Sequence, residues 1–151
     1  MRGFEWVPDI DHTNLSLPFR QTKSAAGYDL LTIEDAVISP GKVMLIPTGV
    51  RVRLLPTECL LIYARSSLAV KYQLILANGV GVIDADYYNN DNNFGHIFIP
   101  LVNIGEVAVH VERGERIAQG IFTPFLLATD DGNGSYDQKT RSGGFGSTDR
   151  V

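Results

Sequence analysis

At 151 residues, with 44% apolar and 20% charged residues, the chain has the proportions of one globular domain large enough to bury a core. Its formal net charge of -4 argues against a nucleic-acid polymer as partner, since such binders carry a basic face. The single cysteine, Cys59, excludes an intrachain disulfide and, in the run Cys59-Leu60-Leu61-Ile62, reads as a buried thiol in a reducing compartment. Glu5, Asp9 and Asp11 come before any long apolar run, which speaks against a secretory signal, and no segment approaches a membrane span. A cytoplasmic setting is therefore expected.

In chain order, the first segment with chemistry is Ala25-Ala26-Gly27-Tyr28-Asp29-Leu30. Its small residues and glycine allow close backbone approach, and Asp29 is a carboxylate fixed at a strand start or in a turn. Val50-Arg51-Val52-Arg53-Leu54 alternates, with Val50, Val52 and Leu54 on one face and the arginines on the other. Runs 58–63, 97–102 and 116–122 are more continuously apolar, as strands buried on both faces would be. Between 58–63 and the next strand lies Ala64-Arg65-Ser66-Ser67-Leu68. There Ser66 or Ser67 is placed to cap the one short helix, 66–72, while Arg65 and the hydroxyls offer donors to an anion.

The stretch Asn78-Gly79-Val80-Gly81-Val82-Ile83-Asp84-Ala85-Asp86-Tyr87 suggests a hairpin whose backbone amides line a slot. Asn78 at its mouth can both donate and accept, which suits the edge of a nucleobase. Asp84 follows an apolar triplet, a setting that suits a general base. Val107-Ala108-Val109-His110-Val111 alternates again, and Gly114-Glu115-Arg116-Ile117-Ala118-Gln119-Gly120 carries one inward polar residue, Gln119, which must find a partner. Turn signals separate all these runs, and short strands at such spacing mean an all-β sandwich or barrel. The pattern dissolves near the C-terminus, so residues 1–128 are expected to form the β domain and 129–151 a mobile arm.

That arm carries Arg141-Ser142-Gly143-Gly144-Phe145-Gly146-Ser147-Thr148. Glycines let backbone N–H groups converge on an anion, while Arg141, Ser147 and Thr148 add donors. Phe145 between glycines can stack on a flat ring, so the arm reads as a lid closing over a nucleotide. His12, His96 and His110 lack ligand spacing, and no zinc site is expected.

Taken in order, these five segments resemble the five motifs of the trimeric deoxyuridine triphosphatase (dUTPase) family, over about residues 17–148. The resemblance implies a jelly-roll-like β-barrel, a homotrimer with shared active sites, and hydrolysis of dUTP to dUMP and pyrophosphate. That reaction limits uracil incorporation in DNA and supplies dUMP for thymidylate synthesis. By the same resemblance, Asp84 activates the attacking water, and Asn78 with the backbone of Gly79 and Val80 reads uracil. Tyr87 packs against deoxyribose and excludes a 2′-hydroxyl. Arg65, Ser66, Ser67 and Gln119 fall on phosphate positions. Asp29 holds waters of a Mg²⁺ carried mainly by the triphosphate. In the arm, Phe145 covers the base, and Arg141, Gly146, Ser147 and Thr148 fall in the substrate-gripping motif. The hairpin, the Arg-Ser and Gln segments, and the arm would come from three different subunits. An arm of roughly twenty residues, at about 3.3 Å each, spans such a distance.

Two rival readings stand beside it: a dCTP deaminase, which shares the barrel architecture and needs a pocket glutamate, and a β-barrel that binds a nucleotide or a partner protein without turnover. The chain departs from the family pattern at Ala64, where a proline is common, at Glu115, where an Asp is more usual, and after Tyr87. There a longer polar loop runs from Tyr88 to Asn93, on to Gly95, and it is the place expected for any regulatory protein partner.

Overall fold

Alternation and short apolar runs become eleven short strands among the described residues of the computed structural model, which are 1–131 and Gly144. The expectations on Arg141, Phe145, Gly146, Ser147 and Thr148 lie outside the described residues. The largest sheet orders β2 (Tyr28–Leu31), β11 (Arg116–Pro124), β6 (Glu58–Tyr63) and β8 (Gly81–Ile83). A second orders β4 (Val43–Pro47), β9 (Phe98–Asn103) and β7 (Leu74–Leu76). Two ladders complete the set: β1 (Gly3–Trp6) on β5 (Val50–Arg53), and β10 (Val109–Val111) on β3 (Ala36–Ile38). All named strand pairs are antiparallel. The architecture is all-β and jelly-roll-like as expected, with its strands divided among four ladders rather than closed into one continuous barrel.

One apolar cluster unites the ladders, including Leu30, Ile46, Leu60, Leu74, Ile99 and Ile117, each at most 1% exposed. Burying an aliphatic side chain of this kind contributes about 1.5–3 kcal/mol, so the cluster dominates the stability. In β5, Val50 and Val52 point into it while Arg53 faces out, as the alternation predicts. Two expectations are corrected. In the 97–102 run, burial alternates: Ile97, Ile99 and Leu101 enter the core, whereas Phe98 and Pro100 line a cavity. Both faces are apolar because one meets the core and the other a pocket. At 107–111 only Val109–Val111 forms strand, and Val107 is 71% exposed, because its three-residue partner β3 ends the ladder at Ile38.

The one α-helix among the described residues, α1 (Ser66–Tyr72), has the expected span but not the expected cap. Arg65 occupies the N-cap with extended backbone and makes no side-chain cap bond. Leu68 anchors the helix to the core.

His96 is a buried residue that sequence spacing leaves without a role. Its Nε2 accepts the Gly49 N–H at 2.8 Å, its ring packs on Phe98, and burial pushes the imidazole down to about 4. In the unfolded chain the imidazole regains its ordinary 6.5, so between those values the unfolded state binds the extra proton. Stability linked to His96 is therefore complete above about 6.5 and lost as pH falls toward about 4. Urea midpoints measured from about pH 7 down to about pH 5 should fall in the parent protein and fall less steeply in His96→Gln. Equal slopes would remove His96 from the acid response. The carboxyls of Glu5 and Glu58, held below their ordinary range by hydrogen bonds from Tyr88 and Arg2 respectively, lose their contribution at lower pH.

Candidate active site

Two groups of the expected residues assemble, on different parts of the chain. The first is built where β2, β11 and the β6–α1 junction meet. Asp29 on β2 stands opposite Gln119 on β11, and Gln119 stands opposite Tyr63 on β6. That register brings Arg65, two residues beyond Tyr63, to the same end of the sheet. Asp29 is 7% exposed, with Arg65 Nε 3.2 Å from its Oδ1 and Arg116 Nη1 3.5 Å from its Oδ2. The Gln119 amide donates to the Ala64 carbonyl at 3.3 Å, which gives this inward polar residue its partner. Gly27 is required beside it, because a Cβ there would collide with Gln119 Oε1.

Next to this cluster a cleft of about 320 Å³ is lined by Arg65, Ser67, Lys71, Glu115 and Arg116, among others. With Asp29 counted, three cations face two carboxylates, a net positive setting suited to an anion. Ser66 is exposed and does not line the cleft. Arg116 was missed by sequence reasoning. Its charge opens an otherwise apolar strand, a signal that gains meaning only once β11 is seen beside Asp29.

The second group surrounds a cavity of about 200 Å³, lined by residues that include Asn78, Gly81, Ile83, Tyr87, Phe98 and Gly144. The expected hairpin is not a paired one: β7 bonds to β9 and β8 bonds to β6, in different sheets. The chain turns a corner between sheets, and the wedge left between them is the cavity. At this corner Val80 N–H donates to the Asn78 carbonyl at 2.8 Å across Gly79, a three-residue γ-turn that needs the φ of +72° glycine provides. Gly79 N–H donates to the Leu76 carbonyl at 3.1 Å. Both backbone donors expected to line the slot are thus engaged within the turn, and the Asn78 side chain is the polar group on the cavity wall.

Asp84 follows β8 as the residue that enters a 3-10 turn, Ala85–Tyr87, and its side chain makes no cap bond to that turn. Burial, with the charge of Asp84 nearby, pushes the Cys59 thiol up, which fits an inert buried thiol. Tyr87 is 4% exposed and donates its O–H to the His96 carbonyl at 2.8 Å. Gly144 lies against this ring: a Cβ on it would sit 3.0 Å from Tyr87 Cε2. The resemblance assigned the arm to a third subunit; here Gly144 lies against Tyr87 of its own chain.

The longer loop after Tyr87 is folded inward. Asn90 is buried and donates to the Tyr87 carbonyl and to Asn93 Oδ1, both at 2.8 Å. Gly95, at φ +83°, closes the turn where a Cβ would lie 2.9 Å from the Tyr87 carbonyl. On the outer side, Tyr88 donates to Glu5 at 2.8 Å and lies under Arg51 and Arg53, tying the loop to β1 and β5.

A family model described as dUTPase matches residues 13–149. The deoxyuridine 5'-triphosphate nucleotidohydrolase of Lactococcus lactis is 45% identical over 148 residues, covering 98% of this chain and 97% of that protein. Its counterpart in Desulfotalea psychrophila is 36% identical over 148 residues, covering 96% and 95%. Among solved structures, the dUTPase from Streptococcus mutans superposes with a TM-score of 0.80 at 50% identity, over 83% of this chain and 98% of that one.

Proposed function

Given that the chain belongs to the dUTPase family and hydrolyses dUTP to dUMP and pyrophosphate, we propose that Asp84 is the base that activates the attacking water. The reaction limits uracil in DNA and supplies dUMP for thymidylate synthesis. The carrying observation is the cavity in which Asn78, Tyr87 and the arm residue Gly144 meet, with Asp84 directly after Ile83, the lining residue that ends β8. In our reading uracil enters that cavity, with Asn78 and the turn at Gly79 and Val80 at its edge and the Tyr87 ring against the sugar. The triphosphate lies along Arg65, Ser66, Ser67 and Gln119, on a neighbouring copy of the chain. The separate cavities of the two groups support a homotrimer whose sites are completed between subunits. Residues 129–151 form the arm, with Phe145 over the base and Arg141, Gly146, Ser147 and Thr148 on the phosphates.

Water attacks the α-phosphorus in line as Asp84 takes its proton, and pyrophosphate leaves. Phosphoryl transfer asks mainly for positioning and positive potential, which the guanidiniums of Arg65 and Arg141 supply. The buried carboxylate of Asp29, beside the cationic cleft, suits Mg²⁺, which takes one or two carboxylates, substrate phosphates and several waters. Asp29 would hold its waters, and the ion when bound would neutralise charge on the triphosphate oxygens.

Among the described residues no glutamate lines the 200 Å³ cavity, where the deaminase reading would place one. A cytoplasmic setting suits the free, buried Cys59 thiol. The exposed side of the 88–95 loop, at Asn89, Asp91, Asn92 and Phe94, is the surface a protein partner would meet. Pyrophosphate release from dUTP, dCTP, dTTP and UTP with Mg²⁺ tests the substrate: release from dUTP alone is expected, and ammonia from dCTP would replace this reading with the deaminase.

A further inference from the structure

The loop after Tyr87 does more than reroute the chain; it clamps the one ring that faces the sugar. Both hydrogen-bonding capacities of the Tyr87 hydroxyl are engaged at its far edge. It donates to the His96 carbonyl at 2.8 Å and accepts from Asn93 Nδ2 at 2.8 Å. Asn93 is itself braced, since its Oδ1 accepts from Asn90 Nδ2 at 2.8 Å and from Gly95 N–H at 3.1 Å. Asn90 Oδ1 in turn accepts the N–H groups of Asn92 and Asn93 at 3.1 and 3.2 Å. The other anchor is equally fixed: His96 holds Gly49 N–H through its ring, and Ile97 N–H bonds the Val50 carbonyl of β5 at 2.9 Å. The chain returns so sharply because Asn89, Phe94 and Gly95 take positive φ.

We propose that Asn93, braced by Asn90, is a positioning residue for sugar discrimination: it holds the Tyr87 ring as a rigid wall against a 2′-hydroxyl. This rests on the reading of Tyr87 as the residue beside deoxyribose. A ring pinned at its hydroxyl cannot swing aside to make room. With only the bond to the His96 carbonyl left, the ring is held at one point instead of two, and a ribonucleotide enters more readily. Substrate that lacks the 2′-hydroxyl does not press on the wall, so its turnover depends little on the clamp.

The test compares kcat/KM for dUTP and UTP in the parent protein, Asn93→Ala, Tyr87→Phe and the double variant, with Tyr87→Ala as the control on the underlying reading. Asn93→Ala is expected to lower the dUTP:UTP ratio about tenfold, mostly by raising the UTP value, while kcat on dUTP stays within about twofold. A tenfold change is about 1.4 kcal/mol, within the range of one hydrogen bond lost. In the Tyr87→Phe background the same substitution should change the ratio no further, because no hydroxyl remains to be held. A purely structural role would lower the melting temperature in both backgrounds and leave the ratio alone, and that result overturns the proposal. An equal fall of the ratio in both backgrounds overturns it too. If Asn93→Ala does not fold, Asn93→Ser keeps a local acceptor for Gly95 N–H and still loses the reach to Tyr87. Discrimination unchanged in Tyr87→Ala would sink the reading of Tyr87 itself. Discrimination lost there but kept in Asn93→Ala sinks only the clamp.

Discussion

Asp84→Asn should reduce pyrophosphate release from dUTP by about a thousandfold, while dUTP still binds with an affinity within a few fold of the parent. The substitution removes the charge and the proton affinity while keeping the side chain's size. Asn matches Asp in shape, and the extended backbone at this position, φ -86° and ψ 160°, suits either residue. No cap bond to the following 3-10 turn is lost. On the proposed role of Asp84, what disappears is the group that accepts a proton from water in the transition state, a contribution of about 10²–10⁴ in rate, or roughly 3–5 kcal/mol. Because that interaction exists only as the water is deprotonated, kcat falls and binding does not. Rates within tenfold of the parent, with intact fold, would assign the base elsewhere; loss of binding in parallel would make Asp84 a substrate ligand.

Gly144→Val should lower kcat/KM for dUTP by about a hundredfold while leaving the melting temperature within a degree or two. At Gly144 even the first side-chain carbon would lie 3.0, 3.2 and 3.4 Å from Cε2, Oη and Cζ of Tyr87. That is tolerable only if the ring moves, and the ring is held through its hydroxyl by His96 and Asn93. Valine adds two further carbons to the collision, so the arm must lift instead. Among the described residues the buried core runs from Val7 to Ala118, and its packing does not involve Gly144. On the proposed role of the arm as a lid that excludes water and completes the phosphate contacts, its loss appears in turnover. Truncation after Asp131 provides the comparison: the two changes should share one phenotype. Normal turnover in Gly144→Val, with truncation still damaging, would separate the contact at Tyr87 from the work of the arm.

Local patterns were sufficient for much of the architecture. Alternation placed Val50 and Val52 inward, the apolar run Glu58–Tyr63 became β6 unchanged, and α1 spans the residues its polar start and apolar Leu68 suggested. The candidate site residues stood out for the same reason. Asp29, Arg65, Asn78, Asp84, Tyr87 and Gln119 each lie in a short segment whose glycines and polar residues break the strand pattern, and order along the chain is itself information. Side-chain period and turn chemistry are properties of a few neighbouring residues, so they survive in one dimension.

Contacts between distant segments do not. That β7 and β8 leave for different sheets, opening a cavity where a paired hairpin was expected, depends on β9 and β6 competing for them. Arg116 joined Arg65 on Asp29 only once β2 and β11 were side by side across some ninety residues of chain. The clamp on Tyr87 needed the backbone to turn through positive φ at Asn89, Phe94 and Gly95, so that an apparently featureless polar loop delivered Asn93 to a tyrosine hydroxyl and buried His96. Hydrogen bonds to a particular partner are directional and nonlocal, and composition alone carries no record of which partner they find.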